Sequence, residues 1–123
     1  MWDIASNVCV ATLTGHTDIV WSIVCNGDIL YSASADQSII VWDVTSDACV
    51  ASLPGHDSAV LALVLNGDRL YSGSVDQSIK VWDVTTNEYV ATLTGHTSDV
   101  RALASFGDRM YSGSYDKSIK VWD

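Results

Sequence analysis

Three side-chain types that together make a hydrolase relay recur along this chain of 123 residues. His16, Ser32 and Asp36 return as His56, Ser72 and Asp76 and again as His96, Ser112 and Asp116. Each set lies 40 residues beyond the last and is followed by a tryptophan: Trp42, Trp82 or Trp122. A hydroxyl nucleophile, an imidazole base and a carboxylate that orients the imidazole are the parts of acyl-transfer chemistry. Repetition argues against that use. Catalysis needs one preorganised site with donors aimed at a developing oxyanion, whereas three identical sets at a fixed interval have the pattern of parts in a recurring structural unit. We therefore assign no catalytic residue and no enzymatic activity.

Metal and cofactor chemistry finds no better footing. Cys9, Cys25 and Cys49 form no Cys-x-x-Cys pair and lack the spacing of a zinc site or a disulfide framework. Cys9 and Cys49 share a phase with Tyr89, and Cys25 shares one with Leu65 and Ser105, so all three read as reduced thiols at core packing positions. No metal or cofactor is implied. The formal net charge of −9 comes from 6 Lys and Arg against 15 Asp and Glu. Phosphate backbones are held by clustered basic residues; here they are scattered, so nucleic acid is not an expected partner. Most of the aspartates fall in turn-like segments, where a short carboxylate bonds nearby backbone amides; selection of a basic partner is a secondary reading of the acidity. No apolar run reaches the roughly 20 residues of a membrane-spanning helix. Met1-Trp2-Asp3-Ile4 has no basic stretch followed by an apolar one, so the expected setting is cytoplasmic, with the nucleus as the alternative.

The elements that must position these side chains are short strands. Val20–Cys25, Ile29–Ser34, Ser38–Trp42 and Ala48–Leu53 are β-rich runs separated by turn residues, and the pattern repeats at every period. Asn26-Gly27 and Asn66-Gly67 predict two-residue hairpins of type I′. Phe106-Gly107 keeps the glycine and loses the asparagine, which predicts a related turn with more strain or one added residue. A four-stranded sheet cannot bury both faces alone, so the sheets must stack as blades. Val20, Ile23, Leu30 and Val41, with Val60, Leu63, Leu70 and Val81 and with Val100, Leu103, Met110 and Val121, are the predicted blade cores. Gly73, Gly113 and Ala33 sit mid-strand where a neighbouring blade would approach closely.

Two more recurrences complete the pattern: Gly15-His16, Gly55-His56 and Gly95-His96, and Trp2-Asp3, Trp42-Asp43, Trp82-Asp83 and Trp122-Asp123. On these residues the chain resembles the WD40 family, whose propeller blades of about 40–45 residues carry Gly-His and Trp-Asp. The resemblance spans residues 1–123 as a single region, with repeats at about 2–41, 42–81 and 82–121. It implies an all-β chain of four-stranded antiparallel blades. It further implies that His16, Ser32, Asp36 and Trp42, and their two sets of counterparts, form hydrogen-bonded tetrads. Each would tie the loop before a blade's first strand to the turn between its second and third. Ser34, Ser74 and Ser114 also recur, and the earlier serine of each pair is the favoured member.

If recurring residues build the fold, partners must be read by residues that break the repeat. Three phases do so: Ile19, Ala59 and Asp99; Trp21, Leu61 and Arg101; and Ala35, Val75 and Tyr115. In the family that the chain resembles, these phases surround the top entrance of the central channel and contact partner peptides. Trp, Tyr and Arg are also the side chains of interface hot spots. The expected function is a protein-interaction scaffold, the alternative being a purely structural or self-assembling module. Three blades are fewer than the four to eight of typical propellers. The first strand, Val8–Leu13, has the phase of a blade's fourth strand, and the last blade lacks one. Two arrangements satisfy this: a stretch of a longer propeller, or a ring of two chains with six blades or three with nine.

Overall fold

Each hairpin turn sets the register of the strands beside it, and the same register appears three times. In the computed structural model, which describes residues 2–3 and 8–123, there are thirteen strands and, among the described residues, no helix. β1 (Trp2–Asp3) pairs with β2 (Val8–Cys9). β3 (Val20–Asn26), β4 (Ile29–Ser34), β5 (Ile39–Asp43) and β6 (Ala48–Leu53) form the first blade, an antiparallel sheet in sequence order. β7 (Val60–Asn66), β8 (Arg69–Ser74), β9 (Ile79–Asp83) and β10 (Glu88–Leu93) repeat it as the second blade. β11 (Val100–Phe106), β12 (Arg109–Ser114) and β13 (Ile119–Trp122) make the third, which ends on β13. The first strand was expected to run over Val8–Leu13; strand pairing covers only Val8–Cys9, because its partner β1 is two residues long. Met1 and residues 4–7, part of the N-terminal segment considered above, lie outside the described residues.

The turns correct one expectation. Asn26 pairs with Ile29, Asn66 with Arg69 and Phe106 with Arg109, so the two loop residues are Gly-Asp and not Asn-Gly. Gly27, Gly67 and Gly107 have φ of 61°, 59° and 59°, while the aspartates that follow them are not among the residues with positive φ. A positive φ at the first central position alone is the pattern of a type II′ turn, which needs glycine there. Phe106 occupies a paired strand position with no special backbone demand. The third turn therefore carries neither strain nor an added residue.

Bulges re-aim the start of each inner strand. The ladder skips a residue between Val20 and Ser22, between Val60 and Ala62, and between Val100 and Ala102. Trp21, Leu61 and Arg101 are thus the extra residues, at one and the same phase.

The core lies between blades. Tyr31, Ala33, Ile39, Val41 and Leu53 on the back of the first blade pack against Val60, Leu63, Leu70 and Trp82 on the front of the second. Ile79, with Val64, Tyr71 and Leu93, does the same toward Val100, Met110, Leu103 and Trp122 of the third. Gly73 is where the approach is closest: a Cβ there would lie 2.7 Å from Val100 Cγ1. Several predicted core residues do not reach a core. Val20 and Ile23, on the front of the first blade, and Val121, on the back of the third, are exposed, because each faces away from the stack. At Gly113 a Cβ would meet only Ala102, at 3.8 Å, for the same reason. The cysteines are likewise exposed and not core thiols. Cys9 lies in β2 and Cys49 in β6, the outermost strand of its blade, while Cys25 follows Ile23 on the uncovered front of the first.

Candidate functional site: blade tetrads and a variable rim

The recurring polar residues meet in three near-identical networks. Trp42 Nε1 donates to Ser32 Oγ at 2.8 Å, His16 Nε2 lies 2.6 Å from Ser32 Oγ, and His16 Nδ1 lies 2.7 Å from Asp36 Oδ2. The second blade gives 3.0, 2.7 and 2.8 Å for Trp82, Ser72, His56 and Asp76, and the third 2.8, 2.7 and 2.7 Å for Trp122, Ser112, His96 and Asp116. An indole nitrogen only donates and an ionised carboxylate only accepts. Protons therefore run one way: Trp N–H to Ser oxygen, Ser O–H to imidazole Nε2, imidazole Nδ1–H to carboxylate.

Each carboxylate is also held from the other side. Asp36 Oδ1 accepts from Ser38 Oγ and from the Ser38 amide at 2.9 Å, and Oδ2 accepts from the Thr17 amide at 3.1 Å. Burial works to raise the Asp36 carboxyl, but the bonds from Ser38, His16 and Thr17 outweigh it and hold it well below the usual carboxylate range. Asp76 is likewise lowered against its burial, by Ser78 and His56. At Asp116 the Ser118 hydroxyl is the largest influence and lowers it too. Burial pushes His56 below its ordinary value, opposing the pull of Asp76, so the imidazole is neutral against an ionised partner. Sequence reasoning passed over Ser38, Ser78 and Ser118 as members, though their recurrence at one phase was the available signal. Ser34, Ser74 and Ser114 serve elsewhere: their hydroxyls accept from the amides of Asp36, Asp76 and Asp116 and reach back to the loop carbonyls of Asp18, Ala59 and Ser98.

The relay has the order of a nucleophile, a base and an orienting acid, yet its serine is closed off. Ser32, Ser72 and Ser112 are 4%, 0% and 1% exposed, and each oxygen already takes an indole N–H. Such an oxygen is engaged as a link within the network. What the tetrad does instead is fasten the loop before each first strand to the turn after the second, and no buried side-chain polar atom among the described residues is left without a partner.

The variable phases converge at the end of the blades that these networks fasten. The Ala35, Val75 and Tyr115 amides donate to the carbonyls of Ile19, Ala59 and Asp99 at 2.8, 3.0 and 3.1 Å, which joins two variable positions in every blade. β7 lies against both β3 and β11, so the bulged residues Trp21, Leu61 and Arg101 begin adjacent strands. Ile19, Trp21 and Tyr115 are exposed, as is Arg101. Arg101 is positioned twice over: its guanidinium lies 4.0 Å from the Tyr115 ring centroid and 3.2 Å from Asp99 Oδ2. Ala35, Val75, Ala59 and Asp99 are half-buried. Leu61 departs from the expectation of a surface contact, being buried in the middle blade with neighbours on both sides.

Antiparallel sheets of four, four and three strands stacked front to back, each locked by a His-Ser-Asp-Trp network, define the class: these are blades of a β-propeller. The family model described as WD domain, G-beta repeat, matches residues 7–43, 47–83 and 87–123, and the chain belongs to the WD40 family, whose fold is of the protein-interaction scaffold type. Among solved structures it is similar to the structure of U3-55K and to the crystal structure of the RRP9 WD40 repeats. Each is 33% identical, with a TM-score of 0.86 over 89% of this chain. The chain spans 37% of the length of either. A comparison with curated proteins gave no match.

Proposed function

We propose that this chain is a non-catalytic interaction scaffold that takes a protein or peptide segment on the rim formed by Ile19, Trp21, Ala35, Val75, Asp99, Arg101 and Tyr115. One observation carries the reading: positions that break an otherwise regular repeat lie together at one end of the stacked blades, with Trp21, Arg101 and Tyr115 open to solvent. Large side chains with little freedom to lose make productive contacts, and the Asp99–Arg101–Tyr115 arrangement fixes a guanidinium before a partner arrives. The same rim serves whether the blades sit in a longer propeller or in a ring of two or three chains. The setting we propose is the cytoplasm, with the nucleus as the alternative.

Peptides selected from a display library on the immobilised chain test this, with affinities then measured in solution for the original chain and for Trp21→Ala and Tyr115→Ala. Hot-spot truncation typically costs about 2 kcal/mol or more, so at least one variant should bind markedly more weakly while keeping its unfolding midpoint. Peptides that bind both variants as well as the original chain would place the binding surface elsewhere and defeat the proposal.

A further inference from the structure

Charge is spread unevenly over the rim, and its sign changes at the third blade. The loops that lead into the first strands of the first two blades each carry an exposed carboxylate, Asp18 and Asp57; at those phases the third blade has Ser98 and Thr97. The phases held by Trp21, Ala35 and Gln37 in the first blade, and by Leu61, Val75 and Gln77 in the second, contain no ionisable group. In the third blade they are Arg101, Tyr115 and Lys117, all exposed. Three departures from the repeat thus place two cations and an aromatic ring at one corner of a chain whose formal net charge is −9.

The geometry of that corner is fixed within a single blade. The Tyr115 amide donates to the Asp99 carbonyl at 3.1 Å and the Lys117 amide to the Ser114 carbonyl at 3.2 Å, so the turn is closed and tied to the loop beside it. The Arg101 guanidinium lies 4.0 Å from the Tyr115 ring centroid and donates to Asp99 Oδ2 at 3.2 Å. Asp99 takes one N–H of a group that carries several. The ring covers a face of the guanidinium and leaves the other donors at its edge, where a carboxylate accepts two at once. Lys117 has no carboxylate within ion-pairing distance among the described residues. Asp116 is turned inward to His96, Ser118 and the Thr97 amide and takes no part.

Granted the rim as the binding surface, we infer that the segment it takes carries one carboxylate side chain, Asp or Glu, gripped over the third blade by Arg101 with Lys117 beside it. The apolar residues of the segment lie toward Ile19 and Trp21. Arg101 and Lys117 against Asp99 leave one positive charge at the corner, which a single carboxylate matches. A phosphate monoester carries nearly two negative charges and would bring the second of them against Asp99. Asp18 and Asp57 repel an acid from the first two blades, so the position of the carboxylate along the rim is specified as well as its presence. Packed sheets are spaced about 10 Å apart, so Trp21 and Arg101, two blades apart, are separated by roughly 20 Å. An extended peptide of about six residues covers that length.

Short random peptides displayed and selected on the immobilised chain supply the test, with the selection repeated on Arg101→Gln. That variant changes an exposed side chain and should keep the circular dichroism of the original. Peptides selected on the original chain should be enriched in one Asp or Glu at a fixed distance from a large apolar residue, and those selected on Arg101→Gln should lose the acid and keep the apolar residue. For a synthetic peptide from the first pool, replacing the acid by its amide should weaken binding to the original chain about tenfold or more and leave binding to Arg101→Gln nearly unchanged. Phosphoserine in place of the acid should bind more weakly than the acid does. A pool that needs Trp21 and Tyr115 but carries no such acid would overturn the carboxylate alone, as would an acid that persists in the Arg101→Gln pool or a phosphoserine peptide that binds more tightly. A pool indifferent to Trp21→Ala and Tyr115→Ala would overturn the rim itself, and the carboxylate with it.

Discussion

His56 lies at the centre of the most buried tetrad, accepting from Ser72 and donating to Asp76. Truncation to alanine leaves Ser72 and Asp76 each short of a partner, and stranding a buried polar group costs about 1–3 kcal/mol. Urea unfolding of His56→Ala should show a loss of that size. The same residue sets a pH dependence. Its pKa in the folded chain lies below the ordinary 6.5, so the unfolded chain binds the proton more readily and acid favours unfolding. The contribution is complete above pH 6.5 and declines as pH falls from there. The lowered carboxyl of Asp76 acts in the same sense but further down, its contribution being lost only as pH drops below the usual carboxylate range. Unfolding free energies measured between pH 7.5 and 5.5 should therefore fall for the original chain and stay flatter for His56→Gln; equal slopes would remove His56 from this role.

At the scale of the element, the hairpin turn is a backbone demand confined to one residue. Gly107 has φ of 59° with no atom within 4 Å of an added Cβ, so Gly107→Ala tests conformation without a clash. A positive φ held at this turn position costs a residue with a Cβ about 1–3 kcal/mol, and thermal unfolding should register that loss. Phe106→Asn, at a position 82% exposed, restores the residue of the other two turns and should change stability by less than about 0.5 kcal/mol. The strands and their order were legible because alternation and turn residues recur three times. The turn type was not: Asn-Gly before a strand fits loops one residue apart, and only cross-strand pairing decides which residues are central. The bulges were hidden too, because the extra residue carries no signature of its own; Trp21, Leu61 and Arg101 share a position and no chemistry.

Across the whole molecule, burial follows place in the stack more than residue type. Leu70 is 0% exposed between two blades, and Leu70→Ala should cost about 2–5 kcal/mol by deleting packed atoms and leaving a cavity. Ile23, on an uncovered front, should lose far less in a single chain, and the difference between the two alanine variants in urea unfolding measures how much of the core belongs to contacts between blades. The cysteines illustrate the same point: their phases fit packing positions, but β2 and β6 lie at an outer edge and Cys25 lies on an open face, so all three meet solvent.

The order of residues alone determined the repeat, the four-stranded unit, the family and the recurrence of His, Ser, Asp and Trp, because periodicity and turn chemistry are local properties that survive in one dimension. Tertiary structure decided which serine faces the imidazole, which residues the bulges turn outward, that Leu61 is buried while Trp21 is not, and that Arg101 stacks on Tyr115. Those outcomes depend on which strand lies beside which and which blade covers which face, and repeating sequence is the same at the covered and the uncovered end.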